Sequence, residues 1–125
     1  MRLNPLKWLS KGPVRVSDAP RNINQTLEQI ASSGSRHVTI MINRYGPDEQ
    51  TGFKGVYQTS IPVPNRDPFL VDQKPLATDT PDDPGYVWMV QKAQGIVDKI
   101  VAPAGFTAEI QDNVLPYYRG QQPLG

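Results

Sequence analysis

The chain contains no cysteine and only one histidine, His37, among its 125 residues. Disulfides, thiolate nucleophiles and cysteine-ligated zinc are therefore excluded, and one histidine cannot build the common zinc sets. No grouping of Asp, Glu and His has metal-ligand spacing, so neither a metal nor any other cofactor is expected. A long apolar run is also missing. The start, Met1-Arg-Leu-Asn-Pro-Leu-Lys-Trp-Leu-Ser10, is broken by Asn4, Pro5 and Lys7, which argues against a signal peptide and a membrane span. The expectation is a protein of a cytoplasmic or virion assembly, with no membrane partner and no small-molecule ligand. Gly-x-Ser-x-Gly is absent, and Gly46 to Lys54 fails as a phosphate loop because Phe53 precedes the lysine and a strand follows it. Asp79, Asp82 and Asp83 lack the alternating ligands and distal Glu of a calcium loop, so they read as capping and solvation of a helix start. The chain is not expected to be an enzyme.

Proline, by contrast, is abundant. Of 13 prolines, Pro62, Pro64, Pro68, Pro75, Pro81 and Pro84 fall between two regular segments. Each fixes φ and removes a backbone donor, so residues 62–84 are excluded from a helix interior or a central strand and read as a proline-rich arm or lid. Net charge is only +1, but it is unevenly placed. Arg2, Lys7, Lys11, Arg15 and Arg21 oppose Asp18 alone over 1–21, while Asp67, Asp72, Asp79, Asp82 and Asp83 oppose Lys74 alone over 67–83. Segments of opposite sign suit attraction between subunits.

Hydrophobic periodicity places the elements. Asn22 as N-cap, Gln25 three positions later, and Ile23, Leu27, Ile30 and Ala31 predict a helix over 22–33 that stops at Gly34. Val38, Ile40 and Ile42 alternate with Thr39, Met41 and Asn43, and Phe53, Tyr57 and Ile61 alternate with Lys54, Gln58 and Ser60. Together they predict a β-hairpin over 36–61 with a loop at 46–52. A second helix starts at Asp83 with Pro84 at its first position and ends by Val101, with Tyr86, Met89, Val90, Ala93, Ile96, Val97, Ile100 and Val101 in one apolar arc. Phe106, Ala108 and Ile110 alternate as a short strand, and Val14-Arg-Val16 reads as another. The predicted class is α+β: a small antiparallel sheet with two helices in the βαββαβ order of a ferredoxin-like sandwich. An extended N-terminal arm (1–13) and an extended C-terminal tail (113–125) flank a single domain (14–112).

Two sets of residues suggest function. Trp88 falls on the polar side of the second helix beside Gly95 and needs a cover, either the proline-rich segment or a neighbour. Leu3, Leu6, Trp8 and Leu9 form an apolar cluster in an arm too short to fold alone, and Tyr117 and Tyr118 lie in the C-terminal tail. These seven are the candidate protein-interface residues. They point to a non-enzymatic structural subunit of a large symmetric assembly, of the kind found in virus or phage particles as a capsid-decorating protein or a neck or tail ring subunit. Its partners would be copies of itself and other structural proteins. The alternative is a module for single-stranded nucleic acid, with Arg44, Tyr45, Phe53, Lys54 and Tyr57 interleaving cations and aromatics on the hairpin. Gly52, Phe53 and Val56 match part of an RNA-recognition pattern whose other positions are not met.

Overall fold

A computed structural model describes residues 20–120. The elements in chain order are α1 (Ile23–Ser32), β1 (His37–Tyr45), β2 (Val56–Ile61), β3 (Phe69–Pro75), α2 (Pro84–Ile96), a π-helical turn (Val97–Val101), β4 (Thr107–Asp112) and the short α3 (Leu115–Tyr118). Val14–Val16 and the 1–13 arm lie outside the described residues.

α1 starts where its sequence predicts. The Asn22 side chain accepts from the Gln25 backbone N–H at 2.9 Å, and the Gln25 side chain accepts from the Arg21 N–H at 2.7 Å, a near relative of the reciprocal capping box. Gly34, with φ of +92°, ends the helix. Leu27 and Ile30 point into the same core cluster as Val38, Ile40 and Ile42 of β1.

The sheet order is β3-β2-β1-β4. β1 and β2 pair antiparallel, as do β2 and β3, whereas β4 pairs with β1 in parallel. The fold is α+β, but the sheet is mixed, which corrects the expected antiparallel sheet. The ferredoxin-like order is not reproduced among the described residues. The reason is the crossover: α2 leaves β3 at one edge, packs across all four strands and delivers β4 to the opposite edge, running in the direction of β1.

The proline-rich segment supplies a strand. Pro62, Pro64 and Pro68 precede β3, Pro75 is its last residue and Pro81 follows, so no proline interrupts the ladder. Its edge position leaves one side without ladder partners among the described residues, as suits a proline-flanked strand. The register shifts between Thr59 and Ser60, which leaves Val71 as the extra residue on β3.

β2 is the central strand and is buried along Tyr57–Ile61. Tyr57, Thr59 and Ile61 face α2, with Thr59 Oγ1 donating to Met89 Sδ at 3.1 Å. Gln58 and Ser60 are buried on the opposite face, where the Gln58 amide donates to Gln73 Oε1 at 2.9 Å. The predicted apolar arc of α2 is the buried one: Tyr86, Met89, Ala93, Ile96 and Val101 lie inside, with Val90, Val97 and Ile100 packed against them. The final turn widens from α to π, through the Ala102 N–H donating to Val97 at 2.9 Å, and Val101 is completely buried there.

Gly85 marks the closest approach of α2 to the sheet. A Cβ there would lie 2.7 Å from the Pro75 carbonyl oxygen and 3.0 Å from Tyr57 Cδ2. Gly85→Ala should therefore cost about 1–3 kcal/mol, despite alanine's better helix propensity, because it overpacks a backbone contact. Urea denaturation measures this loss; a variant as stable as the parent would refute the contact.

Candidate functional site

The densest polar constellation lies where β1 and β2 meet the start of α2. Its centre is Asp83, fully buried and placed by its role as N-cap of α2. Asp83 Oδ2 accepts from the backbone N–H groups of Ala77, Thr78 and Asp79 at 3.0 Å each and from the Tyr57 hydroxyl at 2.9 Å, while Oδ1 accepts from Gly85 N–H at 3.1 Å. Burial opposes the charge, but the amides of Asp79 and Ala77, the Tyr57 hydroxyl and the Gly85 amide outweigh it and hold Asp83 below the ordinary carboxylate range.

A second carboxylate extends the network. Arg44 on β1 grips Asp79 with both arms, Nε to Oδ1 and Nη2 to Oδ2, each at 2.7 Å. This bidentate pair holds Asp79 below its usual range and raises the guanidinium further. Asp79 has a φ of +56°, a left-handed conformation that the pair and the turn jointly stabilise. The Tyr118 hydroxyl donates to Asp79 Oδ1 at 2.8 Å and meets the Tyr57 hydroxyl, and the Arg44 guanidinium lies 4.7 Å from the Tyr117 ring centroid. Tyr86 completes the cluster, its hydroxyl donating to Asp112 Oδ2 at 2.5 Å and its ring packing edge-on against Tyr118.

The phenols of Tyr57, Tyr86 and Tyr118 are pushed up, first by burial; Tyr118 and Asp83 add to this for Tyr57 and Asp112 for Tyr86, while for Tyr118 the Tyr57 hydroxyl pulls down and Asp79 pushes up to about 12. The shifts favour the charged forms of Asp79 and Asp83 and the neutral forms of Tyr57, Tyr86 and Tyr118, and the arrangement fastens segments together. It joins the 76–83 turn, the entry of α2, the centre of the sheet and α3.

The sequence-derived candidates are divided by this arrangement. Leu3, Leu6, Trp8 and Leu9 lie outside the described residues. Tyr117 and Tyr118, read as part of an extended tail, instead form α3, which the buried Val114 seats on the core. Tyr118 faces inward to Asp79 and Tyr57 rather than to a partner. Trp88 is 44% exposed, and its indole N–H donates to Asp72 Oδ2 at 2.8 Å while Lys74 Nζ stands 4.3 Å from the ring centroid. Both partners belong to β3, so the proline-rich segment braces the ring without covering it.

The hairpin residues do not make a stacking platform. Tyr57 is fully buried and Arg44 is committed to Asp79, both on the α2 face, whereas Tyr45 points to the opposite face. Phe53 lies before β2 in the 46–55 connection, bridged to Asp48, and Lys54 follows it. Alternation correctly put Tyr57 and Ile61 on one face, but the predicted strand from Phe53 begins only at Val56, because Gly55 with φ of +99° breaks the period and leaves Phe53 exposed in the connection. The Asp83 and Asp79 hub escaped the sequence reading for another reason: capping accounted for Asp83, and its donors include Tyr57, 26 residues away.

Among the described residues, no group of three or more His, Asp or Glu side chains could hold a metal ion, and no helix is long and apolar enough to cross a membrane. Compared with known protein families, curated proteins and solved structures, the chain matches none of them.

Two measurements test the hub. Asp83→Ala orphans buried donors from three segments and should cost about 3 kcal/mol or more, whereas Tyr57→Phe removes one hydroxyl and should cost about 1–2 kcal/mol. The pH dependence has a fixed sign. Because both acids have folded values below the unfolded one of about 4, their stabilisation is present above pH 4 and is lost as pH falls through the depressed values. The melting temperature of the parent should therefore drop on acidification below about pH 4, and that of Asp83→Ala should drop less steeply. Equal slopes would show that Asp83 is not the group responsible.

Proposed function

We propose that the chain is a non-enzymatic structural subunit of a large symmetric assembly, joined to its neighbours through the outer face of α2. The observation that carries this reading is a braced but uncovered tryptophan. Val87 and Trp88 are adjacent and exposed to 40% and 44%. Beside Trp88 a groove of about 350 Å³ runs along the helix, lined by Gln91, Lys92, Gly95, Ile96, Lys99 and Ile100. Nothing lies within 4 Å of where a Gly95 side chain would begin, which opens the groove to an incoming chain.

An indole held by Asp72 and Lys74 has already lost much of its side-chain freedom, so a partner that covers it pays little further ordering entropy. Tryptophan in this setting is a typical interface anchor. The Asp83 cluster, whose hydrogen bonds tie the 77–79 turn, α2 and β2 to one carboxylate, supports a scaffold role. A virus or phage particle component, as a capsid-decorating protein or a neck or tail ring subunit, is the form of this reading that suits a small α+β body with oppositely charged segments. Its partners would be copies of itself and further structural proteins.

Sedimentation equilibrium tests the reading. The parent should rise above its 13.9 kDa monomer mass with concentration, and Trp88→Ala should weaken that association by about 30-fold, equivalent to about 2 kcal/mol. Its melting temperature should fall by only about 3–6 °C, because the ring is half-exposed in the isolated subunit. Unchanged association of a folded Trp88→Ala, or a parent that stays monomeric at every concentration, would refute the proposal.

A further inference from the structure

The two edges of the sheet are treated differently by the sequence. β3 carries devices that discourage strand addition: Pro68 before it, Pro75 at its end, Lys74 within it, and a register shift against β2. β4, Thr107-Ala-Glu-Ile-Gln-Asp112, has no proline, lysine, glycine or bulge, and among the described residues its ladder neighbour is β1 alone. The parallel pairing decides which backbone groups of β4 are spent. The Thr107 N–H donates to the Arg36 carbonyl at 2.8 Å and the Asn113 N–H to the Ile42 carbonyl at 3.0 Å, so the odd-numbered residues bond to β1. Ala108, Ile110 and Asp112 therefore turn their N–H and C=O groups outward, and among the described residues these find no acceptor or donor.

We infer that this edge is a self-pairing site, where β4 adds antiparallel to β4 of a second copy about a twofold axis through Ile110. The inference rests on the reading of the chain as a subunit that binds copies of itself, and it names a second surface, separate from the α2 face. A twofold axis normal to the sheet keeps each side chain on its own face, so only residue-centred registers are allowed. Centring on Ile110 opposes Ala108 to Asp112 of the other copy, and Ile110 to its own mate. The outward N–H of Ile110 then meets the mate's C=O and the reverse, and Ala108 and Asp112 exchange bonds in the same way. Side chains agree with this register. Ile110, half-buried and packed against the core, would meet Ile110 and extend one apolar layer across both copies. On the other face Glu109, which also accepts from His37 Nε2 at 3.1 Å, would stand opposite the neutral Gln111. Centring on Glu109 would still let the outward groups of Ala108 and Ile110 exchange bonds, but it would set two carboxylates face to face at the axis. Pairing would convert two four-stranded sheets into one continuous eight-stranded sheet.

Because the chain has no native cysteine, single introduced cysteines report on this geometry directly. In a hydrogen-bonded antiparallel pair the Cα atoms lie about 5.5 Å apart, inside the roughly 4.4–6.8 Å that a disulfide spans. Full-length Ile110→Cys should convert to a covalent dimer of doubled mass under mild oxidation, and Glu109→Cys or Gln111→Cys alone should stay monomeric. A mixture of the last two should cross-link to each other, since they face one another at about 4.5 Å, and this arm leaves Ile110 intact should its replacement impair folding. Cross-linking of Ile110→Cys should also persist when Trp88→Ala is added. If neither Ile110→Cys nor the mixed pair cross-links while the parent still gains mass with concentration, edge pairing is overturned and association through α2 stands. If Glu109→Cys cross-links by itself, the Ile110 register is wrong.

Discussion

A single buried negative charge organises this molecule. Isolated, the carboxylate of Asp83 would be too costly to remove from water; surrounded by four N–H donors and a phenol, it becomes the point to which otherwise loose segments are tied. Three of those amides belong to the 77–79 turn, which follows β3, and one to the first turn of α2. The carboxylate thus sets the angle at which the chain leaves the sheet edge and enters the helix that crosses it. Gly85 is needed at the same point, because only a residue without Cβ lets the helix start approach the Pro75 carbonyl. Tyr57, Tyr118, Asp79 and Arg44 extend the tie to β2, α3 and β1.

What the hub makes rigid, the outer surfaces exploit. The diagonal path of α2 places its Val87 and Trp88 side away from the sheet, next to β3, whose Asp72 and Lys74 brace the indole. The same path carries the chain to the far edge, where β4 lies parallel to β1 and turns outward the backbone groups of Ala108, Ile110 and Asp112, which have no partner among the described residues. A parallel pairing at the edge is the reason these groups alternate so regularly, and the guarded opposite edge leaves one direction for the sheet to grow. The two proposed contacts would together suit a closed or layered assembly, since a single twofold contact ends at the dimer.

Much of the local structure was legible in the residues. Asn22 and Gln25 announced α1, the 3.6-residue arc from Tyr86 to Val101 identified the buried side of α2, and the period-2 runs located β1, β2 and most of β4. The prolines were read correctly as incompatible with a central strand, yet residues 69–74 contain none, and that gap is long enough for an edge strand. Tyr57 and Tyr118 carried no signal of burial, because an aromatic in an alternating strand or near a terminus looks the same whether a helix covers it or solvent does. Trp88 was singled out by its helical phase, but its brace comes from residues 14 and 16 positions earlier, across a turn whose course the spacing does not specify.

The division follows the range of the interactions. Caps, turns and periodic faces depend on residues within about four positions, and so the sequence by itself determined where helices and strands begin, which side of each is apolar, and that the chain combines α and β elements. The parallel entry of β4 beside β1, which sets the strand order, and the Tyr57 tie of the hub at Asp83 depend on groups brought together from 26 or more residues apart, and the edge role of the proline-rich segment depends on its pairing with β2 beyond the reach of any cap or turn. Those were decided only by tertiary structure, because the free energy that selects them comes from satisfying one buried carboxylate and one shared apolar core at the same time.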